Sequence, residues 1–192
     1  METMNLDEGY YYGMGVFETI AVKNGIPVFL DRHLRRLFGA LEELDIELNN
    51  KENRLSRKSV MEYLEINYMA HGALKIAVSK ENIILSIREN SYYQKHYEKG
   101  FSVDISPIRR NETSPFTYLK TFNCGDNILA KKQAKIRGID EPVFLNSKGE
   151  LTEGATTNMF LVKNGELYTP SLSCGLLNGI MRSYLMEEYS VT

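Results

Sequence analysis

The dipeptide Asn24-Gly25 narrows the available folds more than any other feature of this chain. Asn-Gly accepts the left-handed backbone of a two-residue hairpin turn, and here it separates the apolar runs Val16–Val22 and Ile26–Leu30. Two antiparallel strands are therefore expected. Asp31 reads as the cap of a helix that follows at once. In that helix Leu34, Leu37, Phe38, Leu41 and Leu44 recur at i, i+3, i+4, i+7 and i+10, one apolar stripe. Arg32, Arg35 and Arg36 lie off or beside the stripe, where a solvated basic face is the plain reading.

The rest of the chain continues this mixture. A looser apolar period predicts a helix over about Asn53 to Met69. Leu74–Val78 and Ile83–Ile87, joined by Ser79-Lys80-Glu81-Asn82, form another expected hairpin. Phe101–Ile105 reads as a strand, and Pro107–Pro115 as a linker. That divides the chain into residues 1–106 and 116–192. Beyond it, Asp126 to Gly138 is acidic early, basic late and closed by glycine, the order a helix dipole favours. Pro142–Leu145, Glu150–Glu153, Asn158–Val162 and Glu166–Thr169 follow as a meander of antiparallel strands. Leu172–Asn178 reads as loop, and Gly179 opens a final helix. The fold class is α/β, of the α+β type.

Composition excludes several functions. The chain has 192 residues, 43% hydrophobic and 25% charged, with net charge -2, as a soluble globular protein does. No apolar run reaches membrane-spanning length, and the N-terminus lacks a secretion-signal layout, so no membrane partner and a cytoplasmic location are expected. The near-neutral balance gives no reason to expect nucleic acid. Cys124 and Cys174 are expected reduced and unpaired. His33, His71 and His96 lack metal-ligand spacing, so no metal site is expected. Gly9 to Gly15 carries glycines around aromatics but lacks the third glycine and following helix of a dinucleotide fingerprint.

One stretch carries candidate chemistry. In Thr117-Tyr118-Leu119-Lys120-Thr121-Phe122-Asn123 a lysine sits alone within a short apolar run, just ahead of the predicted helix, and no other place in the chain is read this way. Desolvation lets such an amine shed its charge and act as a nucleophile. Composition by itself still reads Lys120 as a snorkelling surface lysine.

Four segments in order change that reading: Tyr12-Gly13-Met14-Gly15-Val16-Phe17-Glu18-Thr19, His33-Leu34-Arg35-Arg36-Leu37, Leu119 to Asn123 with its helix, and Leu151-Thr152-Glu153-Gly154-Ala155-Thr156-Thr157-Asn158-Met159-Phe160. Together they resemble the two-domain fold-type IV pyridoxal-phosphate enzymes, which include branched-chain and D-amino-acid aminotransferases and aminodeoxychorismate lyase. A fifth segment, Cys174 to Arg182, looks most like the lyase branch.

The resemblance implies that Lys120 forms a Schiff base with pyridoxal 5'-phosphate and that Glu153 holds a proton on the pyridine nitrogen. It places Arg36 on the phosphate, where a guanidinium offers a rigid fork of donors. Gly179, Ile180 and Met181, at a helix start, would offer backbone amides to the same phosphate, with Thr157 and Asn158 among the cofactor contacts. Aminotransferases often carry threonine where Met181 stands, so a hydroxyl contact is missing here. Tyr12 and Phe17 match aromatic positions lining the pocket for a small amino substrate, with a core role equally open for Phe17. Branched-chain aminotransferases commonly have tyrosine at the position of Cys124, which favours the lyase. The resemblance also implies a homodimer, and a second domain shorter than the family's usual one. It leaves three readings: a lyase making 4-aminobenzoate and pyruvate from 4-amino-4-deoxychorismate, a class IV aminotransferase using a 2-oxo acid, and an inactive relic of the fold.

Overall fold

The computed structural model describes residues 4–48, 55–90 and 92–192. The chain divides into two compact units, residues 1–93 with 120–123, and residues 94–119 with 124–192.

In the first unit the Asn-Gly turn forms as expected, with positive φ at both Asn24 (52°) and Gly25 (74°). It joins β1 (Gly15–Lys23) to β2 (Ile26–Pro27), which pairs only Val22 with Pro27 and Lys23 with Ile26. The partner strand is shorter than predicted because Phe29 turns left-handed (φ 55°) and α2 (Leu30–Glu43) begins at once. Asp31 consequently does not cap this helix. It lies inside the first turn and pairs with Arg57 at the surface, 2.8 Å away.

β3 (His71–Ser79) runs antiparallel along the whole of β1, and β4 (Ile83–Arg88) adds to β3, giving the order β2-β1-β3-β4. Residue parity sorts the sheet. Val16, Ile20, Val22, Leu74, Ile76 and Val78 are buried on one face, together with Leu34, Leu37 and Leu41 of α2. Truncating one of these leucines to alanine would cost about 2–5 kcal/mol. α3 (Arg57–Ile66) starts on a Ser56–Ser59 capping box and is tied to β4 by the Tyr63 hydroxyl, which donates to the Leu85 carbonyl at 2.9 Å. Its expected start at Asn53 lies outside the described residues. A further helix, α1 (Glu8–Tyr12), caps on the Asp7 carboxylate within the glycine-punctuated segment. The glycines there had concealed it.

The second unit carries α4 (Gln94–Lys99), unexpected from sequence, and a three-stranded sheet ordered β5-β6-β7. β5 (Val103–Arg110) lies parallel to β6 (Glu141–Asn146), and β7 (Leu151–Gly154) is antiparallel to β6. The expected linker from Pro107 thus begins as strand. Proline is tolerated because β5 is an edge strand and its register breaks between Ile105 and Arg109. α5 (Gly125–Ile136) packs Ala130 against Phe144 and Ala155, with Ile108 beside them. The expected meander splits instead: β8 (Leu161–Lys163) and β9 (Glu166–Tyr168) form a separate two-stranded sheet. α6 (Ile180–Glu188) follows. Among the described residues no helix is long and apolar enough to cross a membrane.

Candidate active site

Lys120 is positioned by backbone pairing within the first unit. The Phe17 amide donates to the Lys120 carbonyl at 2.9 Å, and the Phe122 amide to the Gly15 carbonyl at 2.9 Å, with Thr121 bridging Val16. Residues 120–122 thereby extend the sheet along the open edge of β1. Gly15 permits this approach, because a Cβ there would sit 2.4 Å from the Phe122 ring. Asn123 finishes the segment by donating from Nδ2 to the Gly13 carbonyl at 3.0 Å. Gly13 has φ 72°, a left-handed conformation that also ends α1.

This pairing carries the Lys120 ammonium to 4.5 Å from the centre of the Phe17 ring. Lys75, from β3, stands 4.9 Å from the same centre. The sequence reading treated the Lys120 stretch as the only lone lysine in an apolar run. Gly72-Ala73-Leu74-Lys75-Ile76-Ala77-Val78 is another, and its hairpin-strand pattern masks the lysine within it. Tyr12, the other expected pocket aromatic, is exposed at the end of α1.

Arg36 does not belong to a solvated face. Its Nε and Nη2 donate to the two oxygens of Glu18, each at 2.7 Å, and His33 Nδ1 lies 2.7 Å from Glu18 Oε2. Glu18 is 1% exposed. Burial on its own raises a carboxyl pKa, but the hydrogen bonds from His33 and Arg36 outweigh it and hold Glu18 below the ordinary glutamate value. Sequence reading missed this acid, although its parity gives it away: Val16, Glu18, Ile20 and Val22 all point to the buried face. Glu18 and Phe17 are consecutive, so Arg36 and Lys120 are tied to neighbouring residues on opposite faces of β1.

In the second unit the end of β7 delivers Glu153 to a buried position. Arg110 Nη2 donates to its Oε1 at 2.8 Å, and the Leu177 amide to its Oε2 at 3.2 Å. Arg110 is itself fixed: Nη1 donates to Asn127 at 3.0 Å, and the guanidinium stacks 4.3 Å from the Phe144 ring centre. Asn158 draws the same loop inward, donating from Nδ2 to the Leu177 carbonyl at 2.9 Å. Its Oδ1 crowds Gly179, where a Cβ would lie 1.8 Å away. Glu153, Asn158 and the Gly179–Met181 start of α6 are thereby gathered on one loop. That helix has Gly179 as N-cap and no side-chain cap, so its first amides are left for a ligand or water. Thr157 is placed otherwise: its hydroxyl donates to Glu141 at 3.1 Å. Arg110 and Asn127 were not found from sequence; the former sits at the strand end that had been read as linker.

In the first unit the amine and the guanidinium suit an electrophilic carbon and an anionic group; in the second the carboxylate and the uncapped helix start suit a basic nitrogen and an anionic group. Comparison with known proteins points the same way. The model of the family "Amino-transferase class IV" matches residues 15–192. The aminodeoxychorismate lyase of Bacillus subtilis is 30% identical over 203 residues, covering 95% of this chain and 67% of the lyase. The D-alanine aminotransferase of Bacillus licheniformis is 27% identical, covering 94% of this chain and 67% of that enzyme. Among solved structures, 4-amino-4-deoxychorismate lyase from Pseudomonas aeruginosa superposes with a TM-score of 0.83 at 27% identity, covering 98% of this chain and 73% of that one.

Proposed function

The chain belongs to the class IV aminotransferase family, and from that premise we propose that it is a pyridoxal-phosphate-dependent lyase acting on 4-amino-4-deoxychorismate. The products are 4-aminobenzoate and pyruvate. The observation that carries the reading is Lys120, locked by β-pairing to Phe17 and Gly15 with its amine over an aromatic ring. The donor set fits the cofactor in kind: an amine for an aldehyde, a carboxylate for a ring nitrogen, and a guanidinium with helix-start amides for a phosphate. When bound, pyridoxal phosphate supplies the electron sink for a carbanion at the substrate carbon that bears nitrogen.

The chain's own groups do the remaining work. Arg36, oriented by Glu18, would hold the phosphate, and the amides of Ile180 and Met181 would offer it further donors. Glu153, braced by Arg110, would keep a proton on the ring nitrogen. The Lys120 amine would take the α-proton; the ether C–O bond at the adjacent ring carbon would break as that ring becomes aromatic, and the departing enolpyruvate would take up a proton at its methylene carbon to give pyruvate.

A visible absorption band on adding pyridoxal phosphate, lost in Lys120→Ala, is the expected result; a wild-type protein with no band defeats the reading. An aminotransferase uses the same cofactor residues, and the similarity to D-alanine aminotransferase favours it as the second reading. Supplying 4-amino-4-deoxychorismate separates the two. Release of 4-aminobenzoate supports the lyase, and transfer of amino groups to 2-oxoglutarate without that release reverses the order.

A further inference from the structure

We propose that Glu141 is a positioning residue: it holds the turn between Glu153 and Asn158 and so aims the Glu153 carboxylate at the cofactor ring, an inference that rests on the enzyme reading above. Glu141 opens β6 and is 2% exposed. Its oxygens are filled largely from one short turn. Thr156 donates to Oε1 from its backbone amide at 2.7 Å and from its hydroxyl at 3.1 Å, and that hydroxyl lies 3.3 Å from Oε2. The Thr157 hydroxyl donates to Oε1 at 3.1 Å. Lys131 of α5 closes the group, pairing with Oε2 and donating to the Asp140 carbonyl at 2.7 Å.

Both ends of that turn carry groups assigned to the cofactor. Glu153 and Asn158 are joined by an antiparallel bridge, and within it the Gly154 amide donates to the Thr157 carbonyl at 2.8 Å. Gly154 has no room for a side chain, because a Cβ there would stand 2.7 Å from Glu141 Oε1. The Glu153 carboxylate is fixed at its far end by Arg110 and the Leu177 amide. Its backbone end is set by the turn that Glu141 fills.

A turn that needed only to close could use a neutral acceptor. Taking a carboxylate out of water costs several kcal/mol, so its partners must be well placed. What an ionised acceptor adds is stiffness, since hydrogen bonds to it are shorter and stronger than neutral ones. Three donors from two consecutive threonines converge on it and leave the turn one arrangement. A carboxylate that must meet a ring nitrogen at hydrogen-bond distance and angle requires such a support.

The test measures, by titration calorimetry, the affinity of the chain for pyridoxal phosphate and for its deaza analogue, in which CH replaces the ring nitrogen. Wild type is expected to prefer pyridoxal phosphate by about tenfold or more, the worth of a hydrogen bond between charged groups. Glu141→Gln keeps one acceptor but turns an NH2 toward Lys131 or the threonine hydroxyls. The preference should fall to about threefold or less, with analogue affinity within about twofold of wild type. Thr157→Val, which removes one donor and leaves the acid in place, should lower the preference by about twofold and gives the readout if Glu141→Gln does not fold. A merely structural role would weaken both ligands alike. Equal weakening, or an unchanged preference in the folded variants, overturns the assignment and leaves the enzyme reading intact. A wild type that binds both ligands equally shows that Glu153 does not meet the ring nitrogen, and the assignment falls with that contact. A wild type that binds neither overturns the enzyme reading as well.

Discussion

In the first unit Arg36 grips both oxygens of Glu18 at 2.7 Å, and His33 supplies a third contact. In the second, Arg110 donates to Glu153 Oε1 at 2.8 Å, and a backbone amide, that of Leu177, donates to Oε2 at 3.2 Å. The roles are also reversed. In the first pair the arginine is the residue proposed to meet the cofactor and the acid braces it; in the second the acid meets the cofactor and the arginine is the brace. A charge offered to a ligand has to be aimed beforehand, and burying it alone would cost several kcal/mol. A counter-charge from elsewhere in the fold answers both needs. The second pair is the looser of the two, since the buried Arg110 Nε has no hydrogen-bond partner among the described residues.

That contrast sets an order of effects. Glu18→Gln puts an amide NH2 against Arg36 or His33 and removes the charge, and about 3–5 kcal/mol of stability should be lost, the range for breaking a buried pair. Glu153→Gln removes the charged contact to Arg110, while Arg110 keeps Asn127 and the Phe144 ring, so a loss of about 1.5–3 kcal/mol is expected. Urea denaturation of both variants against wild type measures the two. If Glu153→Gln proved the costlier, the distinction between a saturated pair and a loose one would be wrong.

Glu18 also shows which parts of the architecture were legible in the sequence. The α2 stripe and the Asn24-Gly25 turn were readable because each is a local pattern, fixed by periodicity or by one backbone conformation. The family segments marked Lys120, Arg36 and Glu153 as residues of interest. Their braces were hidden for a different reason. Glu18 is 18 residues from Arg36 and Arg110 is 43 from Glu153, and such pairings are made only by the tertiary fold. Strand parity could have flagged Glu18 as a charge on the buried face, yet nothing local names its partner. The same limit split the expected meander, because sheet membership beyond β7 depends on where the chain travels next.

Acid should sharpen the contrast. The Glu18 carboxyl titrates below its ordinary value in the folded chain, so its contribution is complete above the unfolded pKa of about 4.3. It is lost as pH falls through the lower, folded value. The stability gap between wild type and Glu18→Gln should accordingly stay level from neutral pH to roughly pH 5 and narrow at more acid values. Denaturation midpoints at a series of pH values read this directly. A gap that widened as pH fell from about 5 toward 4 would mean that the folded Glu18 carboxyl titrates above, not below, its ordinary value.

The smallest effect is expected at His33. Its Nδ1 approaches Glu18 Oε2, the oxygen that also accepts from Arg36 Nη2, so the acid keeps an arginine donor on each oxygen when the imidazole is removed. An ionised carboxylate accepts and does not donate, so the histidine must carry its proton on Nδ1 to make this contact. His33→Gln, which retains a donor amide but shifts its reach, should cost about 1 kcal/mol, the net worth of one hydrogen bond. Urea denaturation measures that cost, and the cofactor-binding curve of the same variant should overlay wild type, because the Arg36 fork stays anchored on both Glu18 oxygens. A loss as large as that of Glu18→Gln would show instead that the imidazole, and not the fork, holds the acid in place.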